Sequence, residues 1–258
     1  MKIPFHKYHG TGNDFVIIDN RHLFFDYNNK GFISKLCSRR FGIGADGLIL
    51  LQEIKDFDFE MIYFNADGKE SSMCANGGRC IMAFAQKLGI INNKAKFLAI
   101  DGHHEGIIEE EIIRLKMKDV NDVEMNYEYC FINTGSPHYL VFVNNIDEVD
   151  VVKEGRNIRY NDRFRKQGTN VNFLEKRNDL LFVRTYERGV EDETLSCGTG
   201  VVAAALYASL KGVLGSGNSC DVSTSGGVVI VRFNKHNDNK FNNIWLDGPA
   251  AFVFKGEI

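Results

Sequence analysis

Cysteine is scarce in this chain, with six residues among 258, at positions 37, 74, 80, 130, 197 and 220. So few, so widely spaced, do not frame a disulfide scaffold, and reduced thiols are the default reading. No segment reaches the roughly 18 consecutive apolar residues of a membrane span. The amino terminus, Met1-Lys2-Ile3-Pro4-Phe5-His6, lacks the apolar core of a signal peptide. The expectation is a cytosolic protein with no membrane partner. Charge of one sign is also lacking: 31 Lys and Arg stand against 34 Asp and Glu, for a net charge of −3. That excludes the basic footprint of a nucleic-acid binder. No cofactor fingerprint is present, and the short Cys-x-x-Cys spacing of zinc sites is missing, so neither a cofactor nor a metal is expected.

What is present is β-structure. With 44% hydrophobic residues the chain can bury a substantial core. Alternating or β-branched runs occur at residues 14–18, 47–51, 57–64, 97–100, 106–118, 139–143, 180–186, 228–233 and 251–254. Few helices interrupt them: besides two discussed below, residues 32–40 and 149–157 read as helical. This ratio predicts an α+β protein of two strongly curved sheets, each wrapped about one central apolar helix, and not a doubly wound parallel sheet. A polar break at Asp119-Val120-Asn121-Asp122 places the boundary near 119. Residues 1–119 are expected to form the first domain, joined by a returning strand over 250–258, and residues 120–249 the second. Residues 234–243 read as an exposed hairpin loop between strands.

Two segments vary one pattern: Glu70-Ser71-Ser72-Met73-Cys74-Ala75-Asn76-Gly77 and Glu193-Thr194-Leu195-Ser196-Cys197-Gly198-Thr199-Gly200. Each sets a cysteine four residues after a glutamate, at the mouth of an apolar helix closed by a glycine stop signal at Gly89 or Gly212. The likeness continues to Gly102 and Gly226, 28 and 29 residues past the cysteines, each opening a β-rich run. The chain reads as a duplicated unit with one such thiol per copy. A thiol at a helix N-terminus is held near the thiolate by amides and macrodipole, and Cys74 and Cys197 are candidate proton carriers. The amides of Ala75, Asn76, Gly198 and Thr199 form ready anion sites. Were the anion an amino-acid carboxylate, they would stabilise the carbanion formed at its α-carbon. Cys37, Cys130 and Cys220 read as small buried hydrophobes.

Further candidates are the Glu187-Arg188 pair at a strand end, able to meet an ammonium and a carboxylate, and His138 in a turn. Asn13 and Asn65 read first as turn formers. Three other readings compete: a racemase of a small amino acid such as proline, a nucleophilic thiol enzyme using Cys197 and His138, and a metal module using Cys74, Cys80, His103 and His104. The polar lining argues against the first, the second symmetric cysteine against the next, and ligand spacing against the last.

Taken together, His9-Gly10-Thr11-Gly12-Asn13-Asp14-Phe15, Gly42-Ile43-Gly44-Ala45-Asp46-Gly47, Phe64-Asn65-Ala66-Asp67-Gly68, Met73-Cys74-Ala75-Asn76-Gly77-Gly78-Arg79-Cys80, Glu187-Arg188-Gly189 and Cys197-Gly198-Thr199-Gly200 resemble the diaminopimelate epimerase family. The resemblance implies a cofactor-independent, two-base interconversion of LL- and meso-diaminopimelate by a cytoplasmic homodimer, each chain an α+β fold of two pseudo-symmetric domains with a strongly curved, barrel-like β-sheet around a central helix. It implies Cys74 and Cys197 as proton donor and acceptor, supported by His138 and Glu187. Asn13, Asn65, Asn170, Glu187 and Arg188 would hold the distal amino-acid centre, and the amides of Ala75, Asn76, Gly198 and Thr199 the reacting carboxylate. Two positions depart from the family pattern: Ala75 stands where glycine is usual, and Ser136 where asparagine is usual.

Overall fold

In the computed structural model, which describes residues 2–215, 217–236 and 239–258, the chain divides into two units. One comprises Met1–Leu115 with Gly248–Ile258, the other Lys116–Asp247. Both are curved, mixed β-sheets with a helix as their apolar centre, and the architecture is α+β.

The first unit runs β1 (Pro4–Gly10), β2 (Asn13–Asp19), α1 (Lys30–Cys37), β3 (Gly47–Gln52), β4 (Phe59–Asn65), β5 (Glu70–Ser71), α2 (Ala75–Lys87), β6 (Lys94–Ala99), β7 (Gly102–Glu109) and β8 (Ile112–Lys116). Neighbouring strands pair antiparallel except at two steps, β2 to β3 and β4 to β6, which are parallel. A parallel step needs a crossover, and α1 and α2 supply the two. Helix α2 packs against β1, β2, β3 and β7, so the sheet wraps it.

The second unit repeats this plan. It contains β9 (Val123–Met125), β10 (Cys130–Asn133), β11 (Pro137–Phe142), α3 (Val151–Arg159), β12 (Asn170–Arg177), β13 (Leu180–Glu187), β14 (Asp192–Thr194), α4 (Gly198–Leu210), β15 (Ser219–Thr224), β16 (Gly227–Lys235) and β17 (Phe241–Pro249). Again two steps are parallel, β11 to β12 and β13 to β15, and α3 and α4 bridge them. Helix α4 carries no charged residue and is buried continuously from Val201 to Ser209, as a helix surrounded by sheet must be. At about 1.5–3 kcal/mol for each fully buried aliphatic side chain, this helix is a large part of its unit's stability. The final strand, β18 (Ala251–Glu257), returns to the first unit and pairs antiparallel with β1.

The duplication is accurate to the residue around the two central helices. A Cβ added at Gly77, three residues into α2, would meet Ile49 at 3.0 Å and Phe15 at 3.4 Å. One added at Gly200, three residues past Cys197, would meet Asn172 at 2.6 Å and His138 at 3.2 Å. The parallel registers agree, Phe15 lying opposite Gly47 as His138 lies opposite Asn170. Hence Phe15 corresponds to His138 and Ile49 to Asn172.

The structure departs from the sequence expectations at several points, one of them His138, which lies in β11 and not in a turn. The run at 106–118 is a hairpin: Glu109 pairs with Ile112 across Glu110 and Glu111, and Glu110 takes a positive φ of 56°. The Glu109-Glu110-Glu111 run reads as a solvated turn or strand end, and the structure makes it the turn between two strands, although glutamate is an unusual residue for that conformation. The counterpart of Gly102 is Gly227 rather than Gly226, since both open the second strand of their hairpins at φ of 116° and 133°. In the predicted loop at 234–243, β16 extends to Lys235 and β17 begins at Phe241; residues 237 and 238 lie outside the described residues.

Helix α3 lies on its sheet through Gly155, whose added Cβ would sit 2.4 Å from the Tyr186 Cβ. Gly155→Ala is therefore expected to destabilise the protein by about 1–3 kcal/mol despite alanine's better helix propensity. Urea unfolding of this variant, with exposed Val152→Ala as the reference, checks it; an unchanged midpoint would show the contact to be slack.

Candidate active site

Each unit places one of the two cysteines at the N-cap of its central helix. Cys74 precedes α2 with φ −84° and ψ 126°, and Cys197 precedes α4 with φ −110° and ψ 108°. Neither side chain caps its helix, and neither first turn contains an acidic residue. A serine or aspartate at the N-cap would bond a first-turn amide. Cysteine leaves the helix's partial positive charge uncompensated by the cap.

In the first unit the β1–β2 hairpin turns through Thr11 and Gly12, both at positive φ (49° and 82°), and so delivers Thr11 and Asn13 to the α2 N-terminus. The Asn13 amide nitrogen donates to Asp46 at 2.7 Å. This fixes its orientation and turns its carbonyl oxygen toward Cys74, whose thiol donates to it at 3.4 Å. The same oxygen accepts from the Asn76 side-chain amide at 3.3 Å. Asn76 in turn accepts from Thr11 at 3.3 Å and from the Arg79 guanidinium at 3.0 Å. Arg79 is fully buried, donates through Nε to the Pro249 carbonyl at 3.1 Å, and leaves Nη1 buried without a hydrogen-bond partner. Ala75 begins α2 and is not among the residues of positive φ, so alanine in place of glycine costs no backbone strain there. Asn65 stands exposed at the end of β4, joined to the turn that follows through its main chain, and takes no part in this network.

In the second unit the partners differ. The wholly buried His138 imidazole lies with Nε2 2.9 Å from the Thr199 hydroxyl and 3.4 Å from the Asn170 amide nitrogen. Its Nδ1 faces the Asn172 amide nitrogen at 3.1 Å. Burial, reinforced by the nearby Arg188 charge, pushes this imidazole down to about 3, so it is neutral. The Thr199 hydroxyl is 3.6 Å from Cys197 Sγ. Asn170 accepts from the Arg188 amide at 2.8 Å, which fixes the start of the Glu187-Arg188 turn. Glu187 accepts from Thr194 at 2.9 Å. The exposed Arg188 side chain donates to the Gln167 carbonyl at 2.9 Å and pairs with no carboxylate among the described residues. Ser136 is half-buried and contributes its carbonyl to the Thr134 amide at 3.2 Å.

Sequence reasoning passed over Thr11, Asp46, Arg79 and Asn172. The one signal for Asn172 was an asparagine between Val171 and Phe173 in a strand. The paired glutamates are not beside the thiols: Glu193 forms a two-pronged ion pair with Arg184, both contacts at 2.7 Å, and Glu70 is exposed. The other cysteines are inert by comparison, burial pushing Cys37, Cys130 and Cys220 each up to about 12 and Cys80 further. Of the suggested metal ligands, His104 is bonded to Asp101 at 3.2 Å; among the described residues no group of three or more metal-ligating side chains is assembled. No helix among them is long and apolar enough to cross a membrane.

Comparison with known proteins gives consistent results. The family model described as diaminopimelate epimerase matches residues 5–118 and 130–253. The diaminopimelate epimerase of Flavobacterium psychrophilum is 52% identical over 255 residues, covering 98% of this chain and 99% of its own. That of Chlorobaculum tepidum is 45% identical, covering 96% and 98%. Among solved structures, a Bacillus anthracis phenazine biosynthesis protein of the PhzF family aligns with a TM-score of 0.73 at 14% identity, over 100% of this chain and 99% of that one. A hydroxyproline epimerase from Agrobacterium vitis aligns with a TM-score of 0.72 at 14% identity, over 100% and 92%. At such identity these two share the fold.

The ion pairs behind Asn13 make the first unit acid-sensitive. Burial alone would raise the Asp14 carboxyl, but Arg39 and Lys7, at 2.8 and 2.7 Å, outweigh it and hold the group at about 2 against an ordinary 3.8. A carboxyl depressed by folding contributes stability above its unfolded pKa and loses it as pH falls through the folded one. The Asp14 contribution is thus complete above about pH 4 and disappears toward pH 2. Unfolding free energy measured across that window is expected to fall less steeply in Asp14→Asn than in the wild type; parallel curves would refute the assignment.

Proposed function

Because the chain belongs to the diaminopimelate epimerase family, we propose that it interconverts LL- and meso-2,6-diaminopimelate by two-base proton transfer at one α-carbon, as a step of lysine and peptidoglycan-precursor synthesis. The observation that carries the reading is the repeated one: two thiols, each at the N-cap of a buried helix whose first turn holds no acidic residue. An amino-acid α-proton is very weakly acidic, and its removal needs both a base and a sink for the charge that develops. A carboxylate seated against the amides of Ala75, Asn76, Gly198 and Thr199 would meet that sink as fixed dipoles, which lose nothing to reorganisation as the carbanion forms. One cysteine takes the proton as thiolate while the other gives its own to the opposite face, so stereochemistry inverts and the roles exchange in the reverse direction. His138 and Glu187 are assigned to support of the thiols.

The distal centre accounts for the choice of substrate. The Arg188 guanidinium, which has no carboxylate partner in the described structure, is assigned to the distal carboxylate, and Glu187 with Asn13, Asn65 and Asn170 to the distal ammonium and its surroundings. This lining is too polar for a small apolar amino acid. We extend the reading to a cofactor-free cytoplasmic homodimer, as the sequence resemblance implies.

Incubation with LL-diaminopimelate in deuterated water, under reductant and chelator and without added cofactor, is expected to yield the meso isomer carrying deuterium at the inverted carbon. Alanine at either Cys74 or Cys197 is expected to abolish it with the fold intact; near-normal turnover in either variant would end the two-base reading. Arg188→Lys keeps the charge but loses the two-pronged fork, at a cost of about 1.5–3 kcal/mol. The expected loss in kcat/KM is about tenfold to more than a hundredfold; an unchanged value would return Arg188 to the surface.

A further inference from the structure

The second unit keeps polar side chains at two buried positions where the first has hydrocarbon. Beneath the N-terminus of α2 lie Phe15 and Ile49; beneath that of α4, in the same register, lie His138 and Asn172, both with 0% exposure. Burying such groups is costly unless every one is hydrogen-bonded. The bonds of Asn172 define its orientation: its oxygen accepts from the Thr185 hydroxyl at 2.9 Å, and its nitrogen donates to the Tyr139 carbonyl at 3.1 Å and to His138 Nδ1 at 3.1 Å.

A neutral imidazole has one N–H and one lone pair. Asn170 and Asn172 both present amide nitrogens to the ring, so it can accept from only one of them, and the Asn172 contact is the shorter, 3.1 against 3.4 Å. Nδ1 therefore carries the lone pair and Nε2 the proton. At 2.9 Å from the Thr199 oxygen, Nε2 donates to it. With one lone pair so engaged, the Thr199 hydroxyl has its own proton free to turn to Cys197 Sγ, 3.6 Å away. A sulfur that receives a hydrogen bond is favoured as thiolate. Cys74 meets the opposite polarity, its thiol donating to the fixed carbonyl oxygen of Asn13.

We infer that Asn172 and the Thr199 hydroxyl are positioning residues that, through the His138 tautomer, present a hydrogen-bond donor to Cys197 and make it the thiolate of the ligand-free protein. The ionisable groups around this chain are His138 itself, Arg188, whose charge reinforces the neutrality of the ring, and Glu187 at the end of β13. The inference rests on the reading of Cys197 as a proton carrier, but its test needs no turnover.

The test is the pH dependence of thiolate ultraviolet absorbance in a Cys74→Ala protein, with the same protein lacking Cys197 as blank. Thr199→Val preserves shape and removes the hydroxyl; it is expected to raise the Cys197 midpoint by about one to two pH units, while Thr199→Ser restores most of the wild-type value. Nitrogen NMR of labelled histidine, assigned against His138→Gln, is expected to show the Nε2–H tautomer in the wild type. Equal midpoints in the valine, serine and wild-type proteins, or an Nδ1–H tautomer at His138, would overturn the relay even in an active epimerase. A shifted midpoint in a protein without epimerase activity would support the relay and remove the assigned function instead.

Discussion

A helix surrounded by its own sheet can present only its ends to anything else, and in both units of this chain the first turn at the N-terminal end holds no acidic residue. The remaining arrangement follows from that constraint. Helices α2 and α4 are buried because most of their residues are small or apolar, so their macrodipoles act in surroundings that screen them weakly. A serine or aspartate at the N-cap would satisfy a first-turn amide from within. Cysteine at that position holds the extended N-cap conformation without closing the site, and it adds a group whose proton can leave.

Duplication supplied the geometry, and divergence made the two copies chemically unequal. The first unit buries a guanidinium at Arg79, where the second, five residues beyond its own cysteine, has the buried Val202. The second unit buries an imidazole and an amide where the first has an aromatic ring and an aliphatic chain. Such substitutions inside a core are tolerated only with partners, and each network ends at the sulfur of its own unit. The first reaches it through an amide carbonyl, the second through a hydroxyl. Two identical functional groups thereby stand beside hydrogen-bonding partners of different kind, a carbonyl oxygen at Cys74 and a hydroxyl at Cys197.

Much of this was legible from the chain alone, and the illegible parts share a cause. The central helices announced themselves through local signals, a run of small apolar residues and a glycine stop, and the cysteines through repetition at fixed spacing. The start of β12 did not: Asn170-Val171-Asn172 has the composition of a turn, and becomes a buried strand because its asparagines find partners on β11 and β13, contributed from distant parts of the sequence. The glutamates at 109–111 were legible as a turn or strand end, but their lack of glycine or asparagine left the run over 106–118 undivided into β7 and β8. Arg79 stood only as one member of a motif, since nothing nearby in sequence tells that its side chain is enclosed by Thr11, Asn76 and the Pro249 carbonyl. Local propensity is written along the chain, whereas satisfaction of a buried polar group depends on segments brought together by folding.

The return of β18 to the first unit has a consequence for the order in which the chain assembles. Residues 116–247 form one uninterrupted segment, so the second unit has all its strands once that segment has left the ribosome. The first unit, begun earlier, waits for residues 248–258, since β1 finds its outer partner in β18 and Arg79 finds an acceptor at Pro249 only then. Until that segment emerges, β1 has an open edge and a cationic side chain lacks one of its anchors, both of which disfavour a finished core. The unit begun first is thus completed after the other, and loss of β18 would be felt at the buried guanidinium behind Cys74.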